Sequence, residues 1–307
     1  KTILVTGGNS GIGLVCCKQF AKQGATVVLT SRNLEAGNKC AEECNAEAAK
    51  AGKSNKTRAM RLDLSDLKQV AEFAQEFKSK HKNLHVLLNN AGVMAIQKKE
   101  LSKQGYEMQL ATNHIGHQYL TNLLLDTIKA SAPSRIVCVS SCYHDYAMGK
   151  EAKMDWDDLN FEQRAYDPWV SYGQSKLANV LHAMELSKRL QGSGVTAVSL
   201  HPGWVKSNLM KHAMGNILPF LLSPFFAMAG QINAWKGSQT SLFCCLDNSI
   251  PSHSGEFYAQ VGSGDFKRIP PPKEGWPLKS PNPQSTPENA AKLWDMTEKL
   301  IADGLAK

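Results

Sequence analysis

Short apolar runs of strand length alternate with longer amphipathic stretches along most of the chain. The runs are Ile3–Thr6, Thr26–Thr30, Arg58–Leu62, His85–Leu88, Arg135–Ser140 and Val195–Leu200, with a last one at Glu256–Ala259. They are near-continuously apolar rather than alternating, which predicts strands buried on both faces. Between them, Gly11–Gln23, Leu34–Ala51, Asp66–Lys80, Tyr106–Ala130 and Tyr172–Leu190 carry apolar residues at helical spacing. Gly24, Gly52 and Gly192 mark helix ends, and Ser65 is the expected N-cap of the third helix. Strands joined by helices through right-handed crossovers predict a single, doubly wound α/β domain. Its sheet should hold about seven mostly parallel strands, with Glu256–Ala259 at the far edge and helices on both faces.

Two segments break the alternation. Residues 142–169 form a polar, aromatic-rich insertion between the fifth strand and its helix. Beyond Val261 the chain turns Pro-rich, with Pro270-Pro271-Pro272, Pro277, Pro281, Pro283 and Pro287. Such a stretch is excluded from inner strands and helix interiors, so it should wrap the surface before a short helix at Asn289–Leu300.

Composition narrows the class. A chain of 307 residues, 42% hydrophobic and 20% charged, buries a large core without disulfide or metal staples, and it is neither collagen-like nor disordered. The formal net charge is +8, but the lysines and arginines are scattered. The densest runs, Lys98-Lys99 and Lys50 to Arg58, are short and lack interleaved aromatics, which argues against a nucleic-acid surface. An anionic cofactor or an acidic membrane surface would use the excess equally well, and solvated helix faces are its plainest use. The eight cysteines show no C-x-x-C spacing, so reduced thiols in a cytosol-like compartment are expected. His114 and His117 have no carboxylate or thiolate placed beside them in sequence, and no metal site is expected. The longest apolar stretch, Ile217 to Ala229, is broken by Pro219 and Pro224, whereas a membrane span needs roughly 20 apolar residues. With the first strand starting at Ile3, the sequence shows neither a signal peptide nor a transmembrane segment. The expected location is cytoplasmic or peripheral on an organelle membrane.

The first strand runs into Thr6-Gly7-Gly8-Asn9-Ser10-Gly11-Ile12-Gly13. A strand before and a helix after give this Gly-rich run the context of a dinucleotide-binding, Rossmann-type turn. Gly7 permits the tight turn, Gly11 lets the backbone approach a pyrophosphate, and Gly13 allows close helix–strand packing. The N–H groups from Asn9 to Gly13 then face the phosphates at a helix N-terminus. The second strand ends Thr30-Ser31-Arg32-Asn33, without the carboxylate that would bind an adenine-ribose 2′-OH. Ser31 and Arg32 offer instead a donor and a permanent cation suited to a 2′-phosphate, so NADP(H) is expected over NAD(H). A merely solvated Arg32 is the competing reading.

The spacing G-x-x-x-G-x-G, together with Asn89-Asn90-Ala91-Gly92 after the fourth strand and Tyr172-x-x-x-Lys176, resembles the short-chain dehydrogenase/reductase family from Lys1 to about Ala259. The resemblance implies a catalytic domain over residues 1–260, with a substrate loop at 204–230 and the extension 261–307 packed on it. It implies that Asp63 and Leu64 meet the adenine, that Asn90, Ala91 and Gly92 line the adenosine side, and that Pro202, Gly203, Val205 and Ser207 grip the nicotinamide carboxamide. Ser207 stands where the family usually has Thr. Asn113, in Asn113-His114-Ile115-Gly116, matches an asparagine that holds a water linking the lysine to solvent. Ser141, the second of the Ser140-Ser141 pair, matches the serine that steadies the substrate oxygen.

Tyr172 and Lys176 are four apart and share a helix face. A free tyrosine titrates near pH 10, but a nearby ammonium favours the phenolate, and about 1–3 units of depression is typical of close opposite charges. Tyr172 is therefore the expected general acid or base, beside Lys176, for hydride transfer between a nicotinamide and a carbonyl carbon. Within the family the chain looks most like the retinol-dehydrogenase-like branch, through Asn113-His114-Ile115-Gly116-His117, Trp156-Asp157-Asp158-Leu159-Asn160 and His201-Pro202-Gly203-Trp204-Val205. Phe220, Leu221, Leu222, Phe225, Phe226 and Met228 would give an apolar lid suited to a retinoid, steroid or other isoprenoid-like substrate. Packing or peripheral membrane contact by the same segment stays open, as does a homodimer or protein partner. The reading of another class is an NADPH-binding scaffold or assembly subunit.

Overall fold

The computed structural model describes residues 1–54, 56–206, 231–259 and 277–307. Ser207, the candidate lid at 209–229 and the Pro270-Pro271-Pro272 run lie outside the described residues.

The apolar runs form the strands they predict: β1 (Thr2–Val5), β2 (Thr26–Ser31), β3 (Thr57–Arg61), β4 (Val86–Asn89) and β5 (Ser134–Val139). A two-stranded hairpin, β6 (Tyr146–Ala147) and β7 (Lys150–Glu151), sits in the insertion, and β8 (Val195–His201) and β9 (Phe257–Ala259) complete the main sheet. The sheet order is β3-β2-β1-β4-β5-β8-β9, and all its pairings are parallel. The winding direction reverses between β1 and β4, and the carboxyl ends of these neighbours open a crevice.

Both faces are covered. Helices α1 (Gly11–Lys22) and α2 (Leu34–Lys50) pack on one face, where Phe20, Cys16, Cys17, Cys44, Cys244 and Cys245 meet Val5, Val27, Leu29 and Val198. On the other face, α3 (Leu67–Lys80) sets Val70, Phe73 and Phe77 against Leu4, Val28 and Leu87. All eight cysteines are free thiols, and six of them belong to or pack against the first core.

Four helical details differ from the sequence expectation. Asp66, not Ser65, caps α3, accepting from Lys68 N and Gln69 N, because the Ser65 hydroxyl is taken by Asp63 Oδ1 at 2.7 Å. The stretch expected to be one helix from Tyr106 begins as a single turn, α4 (Met108–Leu110), and passes through a π-helical turn (Ala111–Ile115) before α5 (Gly116–Ala130). The next helix, α6 (Pro168–Arg189), starts before Tyr172, capped by Asp167 and with Pro168 in its first turn. A helix absent from the sequence reading, α7 (Ala234–Leu246), covers the first face beside α1.

The last helix, α8 (Pro287–Leu305), also exceeds its predicted span at both ends, starting from the Thr286 cap. It lies across α6, α3 and α5, with Ala290, Leu293 and Ile301 packed against Leu177, Ala178 and Leu181. Gln118 and Asn122 donate to Glu298 Oε1, and Tyr106 OH donates to Leu300 O at 2.6 Å. No helix among the described residues is long and apolar enough to cross a membrane.

Candidate active site

The crevice at the β1/β4 switch point holds a cavity of about 600 Å³. Gly7, with φ +64°, turns the chain out of β1. A Cβ on Gly13 would stand 2.5 Å from Gly7 O and 2.6 Å from Asn90 Nδ2, so only glycine lets α1 start so close to the turn. Ser10 occupies the N-cap of α1 but makes no side-chain capping bond, and the first turn carries no acidic residue. The unpaired N–H groups therefore face the cavity that Asn9, Ser10, Gly11 and Ile12 line, an arrangement suited to an anion.

Other expected cofactor residues converge here. Ser31, Arg32, Asp63, Leu64, Asn90, Ala91, Gly92, Pro202, Gly203 and Val205 all border the cavity. Arg32 is exposed, whereas Ser31 is buried and its hydroxyl donates to Asn33 O at 2.7 Å. Its donor is thus committed within the turn, and Arg32 is the exposed cation at the end of β2. Asn90 also ties this loop to the Gly-rich turn, its Nδ2 donating to Thr6 O at 2.8 Å.

At the other end stand Ser141, Tyr172 and Lys176. Ser140 Oγ donates to Lys176 O at 2.7 Å. Ser141 Oγ accepts from Tyr143 N at 3.2 Å, and Ser141 shares the cavity wall with Tyr172. Asn113 is fully buried behind this wall. Its side chain accepts from Val93 N and donates to Val93 O and Ser175 Oγ, and its backbone carbonyl takes the His117 imidazole.

The electrostatics depart from the simple Tyr–Lys expectation. Burial pushes the Tyr172 phenol above its ordinary value, outweighing the opposite pull of Ser141, while Cys142 and Tyr143 push it further up. Burial also pulls Lys176 down to about 8, with Cys138 opposing. Lys176 Nζ lies 5.7 Å from the Tyr172 ring centroid and donates to Val139 O at 3.1 Å. At that separation, with both groups desolvated, the expected depression of Tyr172 does not appear. The sign for carbonyl reduction follows: below about pH 8 Lys176 is cationic and Tyr172 holds its proton, and above it the cation is lost first. In the free enzyme kcat/KM for reduction should therefore fall as pH rises through about 8, and a pH profile checks this.

The cavity wall contains aromatic and apolar residues to which the sequence reading gave no individual role in the site. Tyr143, Met148 and Trp169 come from the insertion and the start of α6, and Trp204 from the turn after β8. Tyr143 packs edge-on against both Trp169 (5.3 Å) and Tyr172 (6.0 Å), and its hydroxyl meets Met148 Sδ at 3.6 Å. Their signal was the aromatic content of a segment that directly follows Ser141.

Comparisons with known proteins agree with this geometry. The family model described as short chain dehydrogenase matches residues 1–152. Retinol dehydrogenase 13 of Mus musculus is 36% identical over 310 residues, covering 100% of this chain and 85% of that protein. Retinol dehydrogenase 12 of Homo sapiens is 37% identical over 302 residues, covering 98% and 86%. Among solved structures, an uncharacterized protein from Mycobacterium paratuberculosis has 30% identity and a TM-score of 0.72, covering 98% of this chain and 93% of that one. The chain belongs to the short-chain dehydrogenase/reductase family. It is accordingly an oxidoreductase of the alcohol–carbonyl type that works with a nicotinamide cofactor.

Proposed function

We propose that the protein interconverts a lipophilic alcohol and its aldehyde or ketone with NADP(H), and that retinoids are the first substrates to test. The observation that carries this reading is the joining, in one cavity, of an uncapped helix N-terminus to Ser141, Tyr172 and Lys176. The nicotinamide supplies the hydride when bound. Tyr172 donates its proton to the carbonyl oxygen during reduction and takes one from the alcohol during oxidation. Ser141 holds that oxygen where negative charge develops, and Lys176 keeps a cation behind the phenol below about pH 8. Tyr143, Met148, Trp169 and Trp204 present an apolar and aromatic mouth that favours a flat, lipophilic substrate over a sugar or hydroxy acid. The names of the relatives, retinol dehydrogenases, support the same class.

The test is NADPH oxidation with retinaldehydes, steroid ketones and short polar carbonyls as a control. Turnover confined to the polar control, or NADPH binding without turnover on any carbonyl, overturns the substrate reading. The latter result is what a scaffold would give. Cofactor preference rests on Arg32, since the end of β2 offers no carboxylate to a ribose hydroxyl. Arg32→Ala should weaken NADPH about 10–100-fold, the loss of a charge-assisted hydrogen bond, with far less effect on NADH. Fluorescence titration of both cofactors measures the ratio.

A further inference from the structure

His117 follows Asn113 by one helical turn, is 2% exposed and does not reach the cavity. Its two ring nitrogens nevertheless bond to opposite sides of the site. Nδ1 lies 2.9 Å from Asn113 O, and a carbonyl only accepts, so Nδ1 carries the proton. Nε2 lies 2.8 Å from Thr6 Oγ1. That hydroxyl oxygen already accepts from Asn90 N at 2.8 Å and Ala91 N at 2.9 Å, which fills both its lone pairs. Its hydrogen must therefore point at Nε2. The alternative acceptor, Leu88 O, is farther at 3.4 Å and already takes Thr6 N. The bonds fix one tautomer and leave no acceptor for a second imidazole proton. Burial and the nearby Lys176 act in the same direction, pulling the ring down to about 4.

The chain of bonds does not stop at Asn113. Asn113 Nδ2 donates to Ser175 Oγ at 2.9 Å, and Ser175 Oγ donates to Tyr172 O at 2.8 Å. One path thus runs from the amides of Asn90 and Ala91, through Thr6, His117 and Asn113, to the backbone of Tyr172. It crosses the π-helical turn at Ala111–Ile115, a helix irregularity of the kind that recurs at functional sites.

We propose that His117 is a positioning residue, a neutral Nδ1–H imidazole that ties the cofactor-facing loop at Asn90–Ala91 to the helix carrying Tyr172. This rests on reading the cavity as the dinucleotide and carbonyl site. A buried imidazole that only fills space would not care which of its nitrogens is replaced, and that difference is testable.

His117→Asn keeps an amide donor at the Nδ1 position and removes the acceptor for Thr6. His117→Gln keeps an acceptor near the Nε2 position and removes the donor to Asn113. The Asn variant should weaken NADPH binding about tenfold, the loss of one buried hydrogen bond, and more than it lowers kcat. The Gln variant should show the reverse order. Equal proportional losses in both variants, or no loss in either, overturn the proposal and leave a packing role. Should either variant fold poorly, the wild-type protein decides. Nitrogen-15 correlation spectra with the ring signals assigned should show His117 protonated at Nδ1 and unchanged between pH 5.5 and 8 (roughly the window in which a free imidazole titrates); His144, whose Nδ1 lies on Ser141 O, should give the same tautomer and is told apart by assignment. An Nε2–H tautomer, or a His117 that titrates there, overturns it. If wild-type protein turns over no carbonyl at all, the proposed activity fails, while the NADPH affinities of the two variants and the tautomer still decide the role of His117.

Discussion

Tyr172→Phe should lower kcat by about 10²–10⁴-fold, the contribution typical of a positioned general acid or base, with a far smaller loss of NADPH affinity. The substitution is unusually clean in this structure. The ring packs edge-on against Tyr143 at 6.0 Å, and that contact survives in phenylalanine. The lost hydroxyl leaves Ser141 Oγ with the Tyr143 amide, so no buried partner is stranded and thermal stability should barely move. Steady-state kinetics on the best carbonyl of the panel, with fluorescence titration of NADPH, separate the two effects. A kcat within tenfold of wild type would remove Tyr172 from the chemistry.

Gly13→Ala should cost cofactor affinity at least about tenfold and some stability as well. The new Cβ meets a backbone carbonyl, Gly7 O, at 2.5 Å, which cannot swing aside, and at 2.6 Å the Asn90 Nδ2 that is held by Thr6 O. The start of α1 must move off the turn, at a cost of about 1–3 kcal/mol for overpacking, and the uncapped N–H groups lose their aim into the cavity. Thermal melts with and without NADPH should show a lowered apo midpoint and a reduced shift on adding cofactor. An unchanged shift would mean that these amides do not hold the phosphates.

The sheet was legible in the sequence because all its strands but the edge are buried on both faces, so each reads as one apolar run. Helix α7 was not, because four of its six buried positions are Gly237, Ser238, Thr240 and Ser241, and the Gly237 backbone packs directly on Val205. Only Cys244 and Cys245, at its end, mark the buried face as apolar. Pro168 and Pro287 were taken as lying outside helices, yet each stands in a first turn, where a missing N–H leaves no gap in the ladder. The π-turn had no signature at all, since an i→i+5 register leaves composition unchanged.

The cofactor end of the site was legible because its residues are contiguous in short motifs tied to strand ends. The mouth was not: Tyr143, Met148 and Trp169 reach it through a 3₁₀ turn, a hairpin and a helix start that no periodicity marks. The pairing of Tyr172 with Lys176 was read correctly as a shared helix face. Its electrostatic sign was not, because desolvation depends on what surrounds the pair.

Helix α8 has a consequence for how the molecule assembles. Its hydrogen bonds to Tyr106 and Gln118 join residues 194 and 180 positions apart, and Thr297 Oγ1 meets His114 Nε2 across 183. Central strands β1 and β2, by contrast, pair across a crossover of a single helix. Closing contacts of such high sequence separation costs more chain entropy than closing neighbouring ones, and a topology rich in them folds more slowly. His114 sits in the π-turn beside Asn113. The turn behind the cavity is therefore braced from the far end of the chain, so shortening α8 should loosen residues that lie nearly 200 positions away from it in sequence.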